Sequence, residues 1–423
     1  METISNYLNS KAIQGPWKIA GCTESGFYGA VVIPALAESA TLMATLSSLA
    51  QNPPDELSGF LVLVVVNHRE DALAAYKADN LSTLRMLDNG DVYFPELRLA
   101  WVDAASPGLE LTTKSGGVGL ARKIGLDLAL TRVDHIDGDP ILVCLDADTI
   151  VRPDYIPSLI RHFKQNITGA AVLPFRHQQG ETPEGHRAIT RYELFLRSYV
   201  LGLSQAGSPY GFHTVGSAMA CRASAYVKMG GMNSRTAGED FYFLQQLART
   251  VGVSQVSGTV VYPSPRASHR VPFGTGRSVS RLLEEEGGVV LFYNVACFRI
   301  LAEWLAIVSN NASLDSAAIR SRADEVSPDL VEFLDKVSFE EIWDKLRRNS
   351  NGRTNFLTAF NVWFDGLKTM KLIHHLSAGP YPRCEPDLAM PGLLEWAGLN
   401  VVDGMDRQLE LLRKVQLGED HEA

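Results

Sequence analysis

The chain has 423 residues, 46% of them hydrophobic and 21% charged, which allows a large buried core and is ordinary for a globular protein. Its net charge is −9 and no dense Lys/Arg block offsets it, which argues against nucleic acid as the main partner. The five cysteines (Cys22, Cys144, Cys221, Cys297 and Cys384) are odd in number, scattered and never in C-x-x-C spacing, a pattern that suits a reducing, cytoplasmic setting and not a thiolate metal site.

In chain order, the first residues lack a basic region followed by an apolar one, so no secretory signal is expected. Val31-Val32-Ile33-Pro34-Ala35 reads as a buried strand stopped by proline. Glu38-Ser39 then opens a helix through Leu49-Ala50, and Asn52-Pro53-Pro54 ends it. Leu61 to Val66 is a second strand, followed by Asn67-His68-Arg69-Glu70-Asp71 and an alanine-rich helix, and Leu97 to Trp101 is a third. Strand and helix alternating at this pace predict βαβ units and a mostly parallel sheet. Lys114 to Gly125 is glycine-rich ahead of a helix, where exposed backbone N–H groups together with Lys114 and Arg122 suit phosphate. The stretch is neither a dinucleotide fingerprint, whose third glycine position holds Arg122, nor a Walker A loop. A plain loop ahead of a surface helix is the alternative reading.

Ile141 to Thr149 is an apolar strand that ends in two carboxylates one residue apart, Asp146 and Asp148. Ligands of open α/β sheets gather at the carboxyl ends of the strands. Acids at (i, i+2) can both face Mg²⁺ or Mn²⁺, hard ions commonly shared with a substrate's phosphates. The competing reading makes Asp148 or Thr149 the cap of the helix that Pro153 announces. After that helix, which runs to Gln165, come a strand at Ala170 to Pro174, a long helix from Gly185 to Ser204 and a strand at Ser217 to Cys221. Gly238-Glu239-Asp240 starts the next helix. Acids there complement the helix dipole, and as a second carboxylate pair they also supply what acid–base work needs. His269 follows the strand Thr259 to Tyr262 in a Pro- and Gly-rich loop, and a lone histidine is more often structural than a ligand.

From about Leu282 the pattern is helical only. Val289 to Val308 is strongly apolar but interrupted by Asn294, Arg299 and Glu303, which predicts packing within the protein ahead of membrane contact. Ser338-Phe339-Glu340-Glu341 matches a capping box, and Ser327-Pro328-Asp329 starts another helix. Asn355 to Leu376 reads as one long helix whose His374 and His375 face different ways.

Taken together, the motifs Val31–Ala35, Ala121-Arg122-Lys123-Ile124-Gly125, Leu145-Asp146-Ala147-Asp148-Thr149 and Gly238-Glu239-Asp240 resemble, in order and spacing, the family 2 glycosyltransferases with the GT-A fold. The resemblance runs from about Val31 to Tyr262 and more loosely to Arg277. It implies an α/β fold with a mostly parallel mixed sheet flanked by helices, followed by an all-α carboxyl-terminal region. The implied organisation is an extension at 1–28 and a transferase domain at 29–280, split into a nucleotide-sugar half (29–150) and an acceptor half (151–280). A helical region follows at 281–423.

The resemblance further implies that Pro34, Ala35 and Glu38 line the nucleotide pocket and that Arg122 lies near the nucleotide. It makes Asp148 the direct metal ligand, with Asp146 nearer the ribose and metal, and His269 completing the site. Glu239 and Asp240 match the family's acidic pair, one of which is the expected base, with Asp240 the first choice. Lys114, Arg122 or Arg277 would add charge on the phosphates. Two positions depart from the pattern: the second strand ends in Asn67 where an acid usually reads the base, and Lys123 stands where asparagine is usual.

The implied activity is a divalent-metal-dependent transfer from a nucleotide-diphosphate sugar to a hydroxyl of a saccharide, lipid-linked or small-molecule acceptor. The protein is expected to be cytoplasmic, with room for peripheral contact at the inner face of a membrane and for a homodimer. The alternatives are a non-catalytic nucleotide-sugar-binding scaffold and, with less support, a sugar nucleotidyltransferase, which would want a basic glycine-rich loop directly after the first strand.

Overall fold

The computed structural model describes residues 4–114, 116–136, 138–236, 238–266, 275–284 and 290–417. His269, Val289 and the acidic tail lie outside them. The described strands are β1 (Ile19–Gly21), β2 (Gly29–Ala35), β3 (Phe60–Asn67), β4 (Arg98–Ala104), β5 (Ile141–Cys144), β6 (Ile150–Val151), β7 (Ala170–Val172), β8 (Met219–Arg222), β9 (Val253–Gln255) and β10 (Val261–Tyr262). Eight of them form one sheet in the order β1-β4-β3-β2-β5-β8-β7-β9, while β6 and β10 pair separately as an antiparallel ribbon. The central strands β4, β3, β2 and β5 run parallel, and β1 and β8 pair antiparallel with their neighbours. The mostly parallel mixed sheet flanked by helices is therefore the architecture the sequence pattern predicts.

Every residue of β2 and β3 is buried. Helices cover both faces of such strands, which is why they read as unbroken apolar runs. Pro34 fits because β5 pairs with β2 only as far as Val32 and Cys144, so no ladder bond is lost where the proline lacks its N–H. The helix Val118–Ala129 lies on this face with Gly125 at the contact. A Cβ on Gly125 would come within 2.3 Å of Val32 Cγ1 and 2.9 Å of Val65 Cγ2. Gly125→Ala should therefore destabilise by about 1–3 kcal/mol through overpacking, read as a lower urea midpoint at unchanged slope. A midpoint equal to that of the native chain would mean the helix rides higher on the sheet.

The amino-terminal helix Ile4–Ser10 is tied to this domain through one buried carboxylate. Asp127 Oδ1 accepts from the Tyr7 and Tyr226 hydroxyls at 2.8 and 2.7 Å. Its Oδ2 accepts from the Ile13 N–H at 2.7 Å and pairs with Lys123 Nζ at 2.9 Å. Lys123 is thereby committed to a structural ion pair.

By compactness the chain divides into Met1–Ile189 with Thr214–Arg281 and Gln416–Ala423, and a second unit of Thr190–His213 with Leu282–Val415. Outside the contribution of residues 190–213, the described part of the second unit is helical, around a core that includes Trp304, Trp343, Phe360 and Phe364. The apolar stretch becomes the helix Val295–Asn310, with Cys297, Phe298, Leu301 and Trp304 buried in that core. No helix among the described residues is long and apolar enough to cross a membrane.

Two helix expectations fail here. The stretch read as one helix from Asn355 to Leu376 is two, Arg353–Trp363 and Gly366–Ala378, because Asp365 leaves the helical conformation and accepts from the Lys368 N–H at 3.0 Å. Ser338 adopts φ 53° with no side-chain cap bond, so the capping box is absent. Ser327 does cap, accepting from the Asp329 N–H at 3.2 Å. His374 and His375 diverge as expected, the first meeting the Tyr293 hydroxyl at 2.8 Å and the second the Asp329 carbonyl at 3.1 Å.

Candidate active site

The site is built at the carboxyl ends of β2 and β5 and at the start of the helix Glu239–Thr250. After β2 the chain turns through Ala37, whose φ of 53° is unfavourable for a residue with a Cβ. Asn80 holds that turn, accepting from the Ala37 N–H at 2.8 Å, and Asp79 accepts from the Ser39 N–H and hydroxyl at 3.2 and 2.5 Å. Glu38, next in line and buried, receives a hydrogen bond from the Thr41 hydroxyl at 2.7 Å. Pro34 and Ala35, at the end of β2 before this turn, are buried.

Asn67 faces inward. Its amide nitrogen donates to the carbonyls of Ala35 at 3.2 Å and Val65 at 3.0 Å, which commits both of its N–H groups to the sheet. Asn67, expected among the donor-binding residues, thereby ties β2 to β3.

Beyond β5 the chain makes a tight turn, closed by the Thr149 N–H to the Asp146 carbonyl at 3.1 Å, and continues as β6. The next helix starts only at Tyr155, with Asp154 at its cap position, so neither Asp148 nor Thr149 caps it. The side chains of both aspartates keep solvent access, 36% for Asp146 and 21% for Asp148. Pairing of β6 with β10 then carries the segment after Tyr262 back over this turn. Gln178 fastens it by donating to the carbonyls of Asp148 at 3.2 Å and Tyr262 at 2.7 Å.

Two guanidinium groups organise the carboxylates. Arg122 is buried and bridges Asp146 Oδ1, at 2.5 Å, and Glu239 Oε1. Burial pulls its pKa down, but the two carboxylates outweigh that and keep it charged. Arg122, expected near the nucleotide, makes its ion pairs within the protein, and a Cβ on Gly216 would lie 2.4 Å from its Nη2. The glycines before it serve closeness too. A Cβ on Gly117 would come within 2.9 Å of Thr236 Cα, and one on Gly119 within 2.4 Å of the Arg235 carbonyl, so this stretch packs against the approach to Glu239. Lys114 is exposed.

Arg266 is the second guanidinium, and it was not singled out in the sequence. Its Nη2 lies 2.7 and 2.8 Å from the two Glu38 oxygens and 3.1 Å from Asp148 Oδ2. Its sequence signal is its place in Pro263-Ser264-Pro265-Arg266 directly after β10, at a strand end.

Glu239 and Asp240 open their helix after Gly238, whose φ of 67° favours glycine. Glu239 is buried against Arg122, whereas Asp240 is part-exposed and accepts from the Phe241 N–H at 2.7 Å. Loss of hydration and the neighbouring Glu239 push the Asp240 carboxyl up to about 7, against a smaller downward pull from Arg122.

The site thus gathers five carboxylates (Glu38, Asp146, Asp148, Glu239, Asp240) around two guanidiniums, an excess of negative charge at a strand end. Residues 141–282 match the family model "Glycosyl transferase family group 2". This segment is similar to the family 2 glycosyltransferases. Both acidic pairs and Arg266 fall inside the match, while Glu38 and Arg122 precede it. Comparison with curated proteins gives no match.

Among solved structures the chain is similar to S. aureus TarS 1-349 in complex with UDP-GlcNAc, at 13% identity over 93% of each chain with a TM-score of 0.37. It is also similar to the mannosyltransferase PcManGT from Pyrobaculum calidifontis in complex with GDP-Man and Mn²⁺, at 15% identity over 99% of this chain and 93% of that one, with a TM-score of 0.37.

Among the described residues no group of three His, Cys, Asp or Glu side chains comes together as a ready metal cage. A pair of carboxylates fits a different use, because Mg²⁺ and Mn²⁺ are commonly held by one or two carboxylates plus substrate phosphates. The guanidinium seated between Glu38 and Asp148 marks the spot as one that takes positive charge.

Proposed function

We propose that the chain transfers a sugar from a nucleotide-diphosphate donor to an acceptor hydroxyl, with Asp146 and Asp148 holding a divalent cation and Asp240 acting as base. The observation that carries the reading is the meeting, through Arg122, of the carboxylate turn after β5 with the acidic start of the helix Glu239–Thr250. In this reading residues 29–150 hold the donor, 151–280 the acceptor and 281–423 a helical accessory region, in a cytoplasmic setting that suits five unpaired cysteines.

Glycosyl transfer develops negative charge on a departing diphosphate, and this site is itself too negative to accept one. A bound divalent cation supplies Lewis-acid stabilisation of that leaving group. Asp146 is held in orientation by Arg122, and Asp148 by the ribbon of β6 and β10. Glu239 is committed to Arg122, so Asp240 is the carboxylate of that pair available to take the acceptor's proton. Its raised pKa sets it close to neutrality, where a base works well.

The test is a thermal-shift panel of UDP, GDP and their sugars with and without Mn²⁺. A ligand present at about a hundred times its Kd adds about 2.7 kcal/mol of stability, a rise of several degrees. The expected result is a metal-dependent rise for one nucleotide, absent in Asp148→Ala. An Asp148→Ala protein that keeps both the shift and full transfer would sink the metal assignment.

A further inference from the structure

Arg266 is a fixed cation lodged where the donor site calls for a mobile one. A single guanidinium nitrogen, Nη2, contacts both oxygens of Glu38 and Oδ2 of Asp148, so one positive charge neutralises carboxylates from two separate loops. The arrangement is braced on both sides. Thr41 fixes Glu38 at 2.7 Å, and the Arg266 N–H donates to the Ser264 hydroxyl at 3.2 Å.

We propose that Arg266 is an internal placeholder for the divalent cation: it occupies Asp148 when the donor is absent, and the ion arriving with a nucleoside diphosphate displaces it from Asp148. It keeps Glu38 and turns its remaining N–H groups toward the diphosphate. This inference rests on the divalent-cation reading of Asp146 and Asp148.

The chemistry favours displacement over loss of a proton. Burial lowers the Arg266 pKa, but the hydrogen bonds and charges of Glu38 and Asp148 raise it further, so the group stays cationic. A cation that keeps its proton is displaced from a carboxylate by a more strongly bound cation, not by its own deprotonation. With 36% of its side chain exposed, Arg266 has room to swing, whereas Arg122 is buried and held by two partners. The two arginines thus divide the labour: Arg122 is a permanent tie and Arg266 an exchangeable one. The placeholder also keeps Glu38 and Asp148 from repelling each other in the empty site, and sets a threshold against binding metal without nucleotide.

The experiment is a titration of Mn²⁺ followed by the electron paramagnetic resonance signal of the free ion, using the full chain as native protein, Arg266→Gln and Arg266→Lys. Each is measured with and without UDP or GDP. Without nucleotide, Arg266→Gln should bind Mn²⁺ about tenfold more tightly than the native chain, within the usual range for coupled sites. Arg266→Lys, which keeps a charge but loses the fork, should fall between them. With nucleotide, the advantage of Arg266→Gln should vanish, because the native arginine then contributes to the diphosphate. Mn²⁺ binding to the native chain with no tighter binding in Arg266→Gln overturns the displacement and leaves the metal reading standing. Absence of Mn²⁺ binding in every protein, with nucleotide or without, overturns both.

Discussion

Asp240→Asn is expected to lower the transfer rate by about a thousandfold, within the range for loss of a general base, and at the same time to make the protein more stable at neutral pH and above. The two effects have one origin. The Asp240 carboxyl is raised from its ordinary 3.8 to about 7 because it is part-buried beside Glu239. Below about pH 4 it is protonated in both folded and unfolded chains and contributes nothing. Between about 4 and 7 the unfolded chain releases a proton that the folded chain retains, so stability falls as pH rises through that window. Above 7 the full penalty is present. Asparagine removes it, so the gain in melting temperature should be absent at pH 4, grow toward 7 and then level off. Partial exposure limits the gain to on the order of 1–2 kcal/mol. The native enzyme's rate should climb between pH 6 and 8 as the base ionises. Glu239→Gln should disturb stability more than the shape of that profile, because Glu239 is bound to Arg122. A rate that is flat across this range, or an Asp240→Asn protein with a tenth of native activity, removes Asp240 from the base role.

The parallel core was legible because its strands are buried on both faces, and Val31 to Ala35, Leu61 to Val66 and Ile141 to Leu145 announce this as continuous apolar runs. The acidic pairs were legible as well, since acids at the end of such a strand or at a helix start stand out locally. What could not be read was the pairing across the fold. Arg122 and Glu239 lie 117 positions apart, and Arg266 and Glu38 lie 228 apart. No periodicity links such residues. The short strand β6 was equally silent, because two residues make no pattern, yet its pairing with β10, expected within the strand Thr259 to Tyr262, is what brings Arg266 to Asp148. Glycine is ambiguous for a related reason. Gly117 and Gly119 suggest a phosphate cradle by composition, but glycine answers any need for close backbone approach, and here the chain at Thr236 and Arg235 lies against them. At Asp365 a strong local preference for capping defeated an amphipathic pattern that looked continuous.

Arg122→Met should be the most destabilising single substitution in the site. The arginine is buried, its two partners are Asp146 and Glu239, and Glu239 is itself buried. Removing one partner of a buried ion pair leaves an uncompensated charge, which typically costs about 3–5 kcal/mol. Methionine roughly fills the space, so the loss should be electrostatic and should be largely repaired by adding Glu239→Gln, which takes away the stranded charge. A double-mutant cycle of melting midpoints would read this as a coupling opposite in sign to the loss in Arg122→Met and of similar size. The cycle also separates two roles for the arginine. If Arg122 acts as the tie between the turn after β5 and the start of the helix Glu239–Thr250, the double variant regains stability while the two carboxylate clusters lose their fixed relation, so the maximal rate falls and donor affinity changes little. If it instead contacts the nucleotide phosphates, Arg122→Met should melt close to the native chain and lose chiefly donor affinity. The burial of the guanidinium and its engagement with carboxylates through both Nη atoms argue for the first outcome, because a group so enclosed offers little surface to a phosphate.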